Sequence, residues 1–146
     1  MVWLDLNNCE KQEYVELRLH SPKGEKICLD FNPLRISDAP DWNPMPEEWH
    51  CYTSPLTIYQ QDWELLLGYF KKIYPIKDAF DGTLELAFDV CFDNWIGKND
   101  WCRIIEEIER DLPHVDDDTK IFLTDFLEWV KKALKYTSII VVEGNL

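Results

Sequence analysis

The chain has 146 residues, 46% of them hydrophobic and 14% aromatic; that is enough for one domain with a substantial core and too apolar for a disordered chain. Its 28 acidic residues against 15 basic ones leave a net charge of −13. A field of that sign disfavours nucleic acid and anionic membrane as partners and favours basic proteins.

In chain order, Val2, Leu4 and Leu6 alternate with Trp3 and Asp5, the two-residue period of a short strand. Tyr14 to His20 repeats it, with Val15, Leu17 and Leu19 on one face. Ser21-Pro22-Lys23-Gly24 reads as a type I turn. Glu25 to Phe31 follows with Ile27, Leu29 and Phe31 alternating, and the two strands are expected to form an antiparallel hairpin.

The stretch 32–56 holds five of the eight prolines (Pro33, Pro40, Pro44, Pro46 and Pro55) and no helical period. It reads as a Pro/Trp-rich loop, with room for a short strand in 48–53. Its rings, among them Trp42 and Trp49, are expected to pack as a belt over one end of the sheet or to anchor a partner. From about Thr57 to Tyr74, Trp63, Leu66, Leu67, Phe70 and Ile73 mark a helix ended by Pro75. Gly68 within it suggests close packing on the sheet.

After a turn at 78–82, Leu84, Leu86, Phe88, Val90 and Phe92 alternate with polar and small residues, predicting a strand with one buried face that Asp93, Asn94 and Gly97 break. A helix capped by Asn99 or Asp100 follows, with Trp101, Ile104, Ile105, Ile108 and Leu112 on one stripe. Asp116, Asp117, Asp118 and Thr119 open a third helix, their charge at its positive end. Ile139, Ile140, Val141 and Val142 run apolar without alternation, so the strand at 137–143 belongs inside the sheet. The expected order is β, β, β, loop, α, β, α, α, β. That describes a single α+β domain over residues 1–146, with a mixed or antiparallel sheet of four to six strands and about three helices packed mainly on one face.

The residues offer little for catalysis. The five cysteines are odd in number and lack CxxC spacing, which fits neither a zinc ribbon nor a complete disulfide framework. His50 and Cys51 are adjacent, so on a strand they point to opposite faces. Asp116 to Asp118 lack the ligand spacing and central glycine of a calcium loop. No catalytic residue, metal site or cofactor is expected. The opening MVWLDLNN lacks the basic region and long apolar run of a signal peptide, and a cytoplasmic location is the expectation.

The stronger pattern is acidity on two neighbouring helices. Between Asp100 and Glu128 lie ten acids and three bases, a net of −7. Glu106, Glu107, Glu109, Asp111, Asp116, Asp117 and Asp118 are therefore the expected partner-binding carboxylates, with Trp42 and Trp49 as anchors. In size, acidity and aromatic content, and in the flavour of FDVCFDNWIGKNDWCRIIEEI (Phe88 to Ile108), the chain resembles small bacterial immunity proteins that neutralise secreted or contact-delivered toxins. The resemblance implies a one-to-one partnership with a cognate basic toxin domain, possibly a nuclease, without catalysis; no functional residue carries over from it. Two other readings stand beside it. One is a structural or regulatory subunit. The other is a small carboxylate- or metal-dependent enzyme using Asp89 and Asp93.

Overall fold

The structure, a computed structural model, describes residues 14–33, 54–135 and 137–146. Its main sheet has five strands in the spatial order β1 (Val15–Leu17), β3 (Leu56–Tyr59), β2 (Cys28–Pro33), β7 (Ile139–Gly144), β6 (Asp93–Gly97). The β1–β3 pair is parallel and the other pairs are antiparallel, so the sheet is mixed. Among the described residues there are three α-helices: α1 (Gln60–Ile73), α2 (Lys98–Asp111) and α3 (Asp117–Ala133). A separate antiparallel pair joins β4 (Ile76–Lys77) to β5 (Leu84–Glu85). This is the expected α+β class.

Strand alternation decides which face the helices cover. Leu29 and Phe31 on β2, Leu56 and Ile58 on β3, Ile96 on β6, and Ile140 and Val142 on β7 are buried with the apolar stripes of all three helices. Phe31 is the hub, with ring centroids 6.0 Å from Phe70, 6.3 Å from Trp101 and 5.4 Å from Phe126. α1 and α2 thus contribute one aromatic ring each to this strand residue and α3 two, Phe126 and Trp129 (6.2 Å), in the tilted or edge-on geometries that rings prefer. On the opposite face Ile139 and Val141 pack against Ala79 and Trp95. β7 is apolar on both faces because it lies between β2 and β6, as its unbroken hydrophobic run predicts.

Five expectations are corrected. The hairpin of residues 14–31 does not form: β3 lies between β1 and β2. The chain between β1 and β2 is held instead by Asp62 in the first turn of α1. Its carboxylate accepts from the backbone N–H of Leu19 (2.8 Å) and His20 (2.7 Å) and from the Ser21 hydroxyl (2.8 Å). Residues 56–59 are strand, not helix, since Leu56 and Ile58 alternate with Thr57 and Tyr59 before α1 begins at Gln60. Gly68 is exposed, with nothing near its missing Cβ, so it packs against no strand.

The largest correction concerns 84–97. Only Leu84–Glu85 is strand in the first part, and it pairs with β4 outside the main sheet. The main-sheet strand is Asp93–Gly97, where a break is expected. It qualifies because Asn94 and Ile96 face the core while Trp95 packs on the other side. α2 accordingly starts at Lys98 with Gly97 as its cap, and neither Asn99 nor Asp100 caps it. The acidic run does open α3 as expected, and Asp116 also caps it: its Oδ1 accepts from the Thr119 N–H at 2.8 Å. The strand expected at 2–6, the loop at 34–53, Trp42 and Trp49 lie outside the described residues.

Candidate partner-binding surfaces

α2 and α3 touch where Lys131 of α3 pairs with Glu109 of α2 at 2.8 Å, but the expected acidic residues do not form one surface: Glu107 and Asp111 meet Lys72 and Tyr69 of α1, and Asp118 lies beside Leu17 and Leu19. Much of this corner is internally compensated. Glu107 pairs with Arg110 (2.9 Å) and Lys72 (3.5 Å). Asp111 accepts from the Tyr69 hydroxyl at 2.8 Å, and burial together with that carboxylate pushes the phenol up to about 12. Asp116 is held below the usual carboxylate range by its Thr119 cap bonds. Glu106, Asp117 and Asp118 are exposed and make no ion pair among the described residues. The groove between the two helices, about 610 Å³, has Leu112, Pro113 and Leu127 among its walls, but Lys120 and Lys131 balance Glu109 and Glu128 there.

A second acidic feature, invisible in the linear sequence, crosses the open face of the sheet. The register pairs Glu16 with Thr57, Thr57 with Asp30, Asp30 with Glu143 and Glu143 with Asp93. Paired residues on adjacent strands point to the same side, so one row runs β1–β3–β2–β7–β6 and four of its five positions are carboxylates. At one end Glu16 is compensated: Arg18 lies 3.4 Å away and the Tyr59 hydroxyl donates to it at 2.5 Å. Asp30 accepts from the Thr57 hydroxyl at 2.6 Å.

Asp30, Glu143 and Asp93 have no ion pair among the described residues. Burial, then the charges of Asp93 and Asp30, pushes Glu143 up to about 8. Burial raises Asp30 and Asp93 as well. Cys28, beside Asp30, is pushed up to about 12 by burial and that neighbouring charge, so its thiol stays protonated and is no nucleophile.

Beyond Asp93 the face drops into a recess of about 240 Å³ lined by Tyr74, Asp78, Glu85, Asp89, Asp93 and Trp95 among others. Asp89 and Asp93, candidates for a carboxylate-based enzyme, therefore do come together. One Asp89 oxygen accepts from the Cys91 N–H at 2.8 Å, and the Oδ1 of Asp78 accepts from the N–H groups of Phe80 at 2.7 Å and Asp81 at 3.3 Å. Among the described residues no three His, Cys, Asp or Glu side chains are placed to hold a metal ion. No helix among them is long and apolar enough to cross a membrane.

The fold and its surfaces define the chain as an α+β protein with two separate acidic faces. Compared with protein-family models, curated proteins and solved structures, it matches none of them.

Proposed function

We propose that this protein is a non-catalytic inhibitor of the immunity type, which binds a basic toxin domain through its carboxylates. A nuclease is the partner that best suits such a surface, because its substrate-binding site must be positive to hold phosphate. The observation that supports this reading most directly is the Asp30–Glu143–Asp93 row. Three carboxylates on adjacent strands, none of them in an ion pair among the described residues, raise the energy of the folded state. A lysine or arginine brought against them by a partner relieves that repulsion, so what weakens the free protein strengthens the complex. The exposed Glu106, Asp117 and Asp118 add a field on the helical side that speeds encounter.

The test is coexpression with the C-terminal domain encoded by the adjacent upstream gene. The expected result is a one-to-one complex that abolishes that domain's toxicity and whose association rate falls steeply with added salt. Asp93→Lys, an exposed position, is expected to slow association and weaken the complex about tenfold or more. A non-toxic partner bound with no salt dependence would instead favour a structural subunit. No complex at all would remove the immunity reading.

A further inference from the structure

The stretch 84–95 is where the apolar pattern and its burial part company. Leu84, Leu86 and Phe92 carry the alternation of a buried strand face, yet they are 59%, 75% and 69% exposed. Their exposure is not looseness. The Asn94 side chain accepts from the Asp89 N–H at 2.8 Å and donates to the carbonyls of Asp89 (2.7 Å), Phe92 (3.3 Å) and Val142 (3.0 Å). Gly144 N–H donates to the Phe92 carbonyl at 3.2 Å, and Leu146 N–H to the Val90 carbonyl at 3.4 Å. The approach at Gly144 is so close that a Cβ there would land on the Val90 carbonyl. Phe88, the buried member of the series, is stacked 5.0 Å from Phe70.

The backbone of 89–94 is therefore tied to β7 and the chain end with Phe92 held in water, and Leu84 and Leu86 stand exposed just before it, Leu84 on the β4–β5 pair. Three large apolar side chains exposed together beside a fixed segment mark a contact surface.

The recess beside them specifies the partner. Phe92 and Ala87 help to line it, and Leu84 and Leu86 are the sequence neighbours of its Glu85. It presents Asp78, Glu85, Asp89 and Asp93 together with the rings of Tyr74 and Trp95, and no Lys, Arg or His among the described residues lines it. At about 240 Å³ it is smaller than the roughly 300–1,000 Å³ of drug-sized ligand pockets, a volume suited to one inserted side chain. We infer that the 84–95 turn is the docking surface for a basic protein segment, whose arginine enters this recess while Leu84, Leu86 and Phe92 cover the apolar residues flanking it. Carboxylates with an aromatic wall match a planar guanidinium, which accepts both stacking and forked hydrogen bonds, better than an ammonium. The inference rests on the reading of a basic partner and adds where that partner docks and by which side chain. The larger groove between α2 and α3 has a rim of mixed sign and selects no such occupant.

Two measurements test it. In the first, the full-length 15N-labelled protein is titrated with N-acetyl-arginine methylamide and, separately, with its uncharged citrulline analogue. Saturable shifts centred on residues 78, 85, 89, 93 and the Trp95 indole are expected with the arginine probe alone, and Asp93→Asn should weaken them about tenfold. Shifts spread evenly over α2 and α3, or none at the recess, would overturn the inference.

In the second, Leu84→Ser, Leu86→Ser and Phe92→Ser are combined and bound to the toxin domain. These exposed positions leave the core intact, and the loss should be about a hundredfold. A complex indifferent to these changes but weakened by reversing Glu106, Asp117 and Asp118 would sink this docking surface and leave the immunity reading standing. An arginine probe that seats in the recess, with no complex formed by the neighbouring gene's product, would support the surface and remove that reading.

Discussion

Asp62 is fully buried, and its carboxylate is shared among Leu19, His20 and Ser21. Burial pushes its pKa up, but these hydrogen bonds outweigh it and hold the group below the usual carboxylate range. Replacing it by Asn turns one acceptor into a donor facing backbone N–H groups. Asp62→Asn is expected to cost about 2–4 kcal/mol, read as a lower urea midpoint with an unchanged slope. Because the folded pKa is depressed, the stability it adds is present above the unfolded carboxylate value and is lost as pH falls through the folded one. The gap between wild type and variant should close accordingly in acid. Asn32 is the opposite case. It is 1% exposed, and neither its Oδ1 nor its Nδ2 finds a hydrogen-bond partner. A buried polar group without a partner is a net cost, so Asn32→Val, which suits a strand facing Val141, should stabilise the protein by about 1–2 kcal/mol. A fall in thermal midpoint would show that the amide is satisfied in solution.

At the scale of elements, α1 carries an avoidable weakness. Gly68 is exposed with open space around it, and glycine inside a helix costs about 0.5–1 kcal/mol relative to alanine. Gly68→Ala should raise Tm by about 2–4 °C; a fall would mean that something packs there. The sheet carries the other. Glu143 is pushed from 4.5 to about 8 by burial and its two carboxylate neighbours. Between those values the folded state holds a proton that the unfolded state has lost, so stability declines as pH rises through this window and the loss is complete above about 8. Glu143→Gln removes that dependence. The variant should match wild type near pH 4.5 and exceed it by about 2 kcal/mol at pH 8.5, after allowance for partial solvent access. Parallel stability curves for the two proteins across this range would show that the row does not repel itself.

Across the whole molecule, the charge of −13 acts on the fold and on binding with opposite sign. Self-repulsion weakens the folded state, and salt screens it. Raising sodium chloride from 0.05 to 0.5 M, where the screening length falls well below 10 Å, should therefore raise Tm while slowing association with a basic partner. Thermal scans and stopped-flow association on the same samples check both. A Tm that fell with salt would mean that ion pairs such as Lys131–Glu109 and Arg110–Glu107 outweigh the net repulsion.

Periodicity was enough to identify the α+β class, the apolar stripes of α1 and α2 and the interior place of the last strand, and the acidic run at 116–118 marked the start of α3. In those segments burial follows local pattern, and a run such as Ile139 to Val142 has only one comfortable position in a sheet. Strand order, the open-face row and the recess were decided by tertiary structure. Pairing brings residues 30, 93 and 143 side by side, and nothing local to any of them encodes the other two. The stretch 84–92 shows the limit most plainly. Its alternation is that of a buried strand, but Asn94 and Gly144 tie residues 89–92 to β7 with Phe92 in solvent, and Leu86 is exposed as well. Hydrophobic spacing states what a segment is able to bury; the competition among all segments for a finite core settles what it does bury.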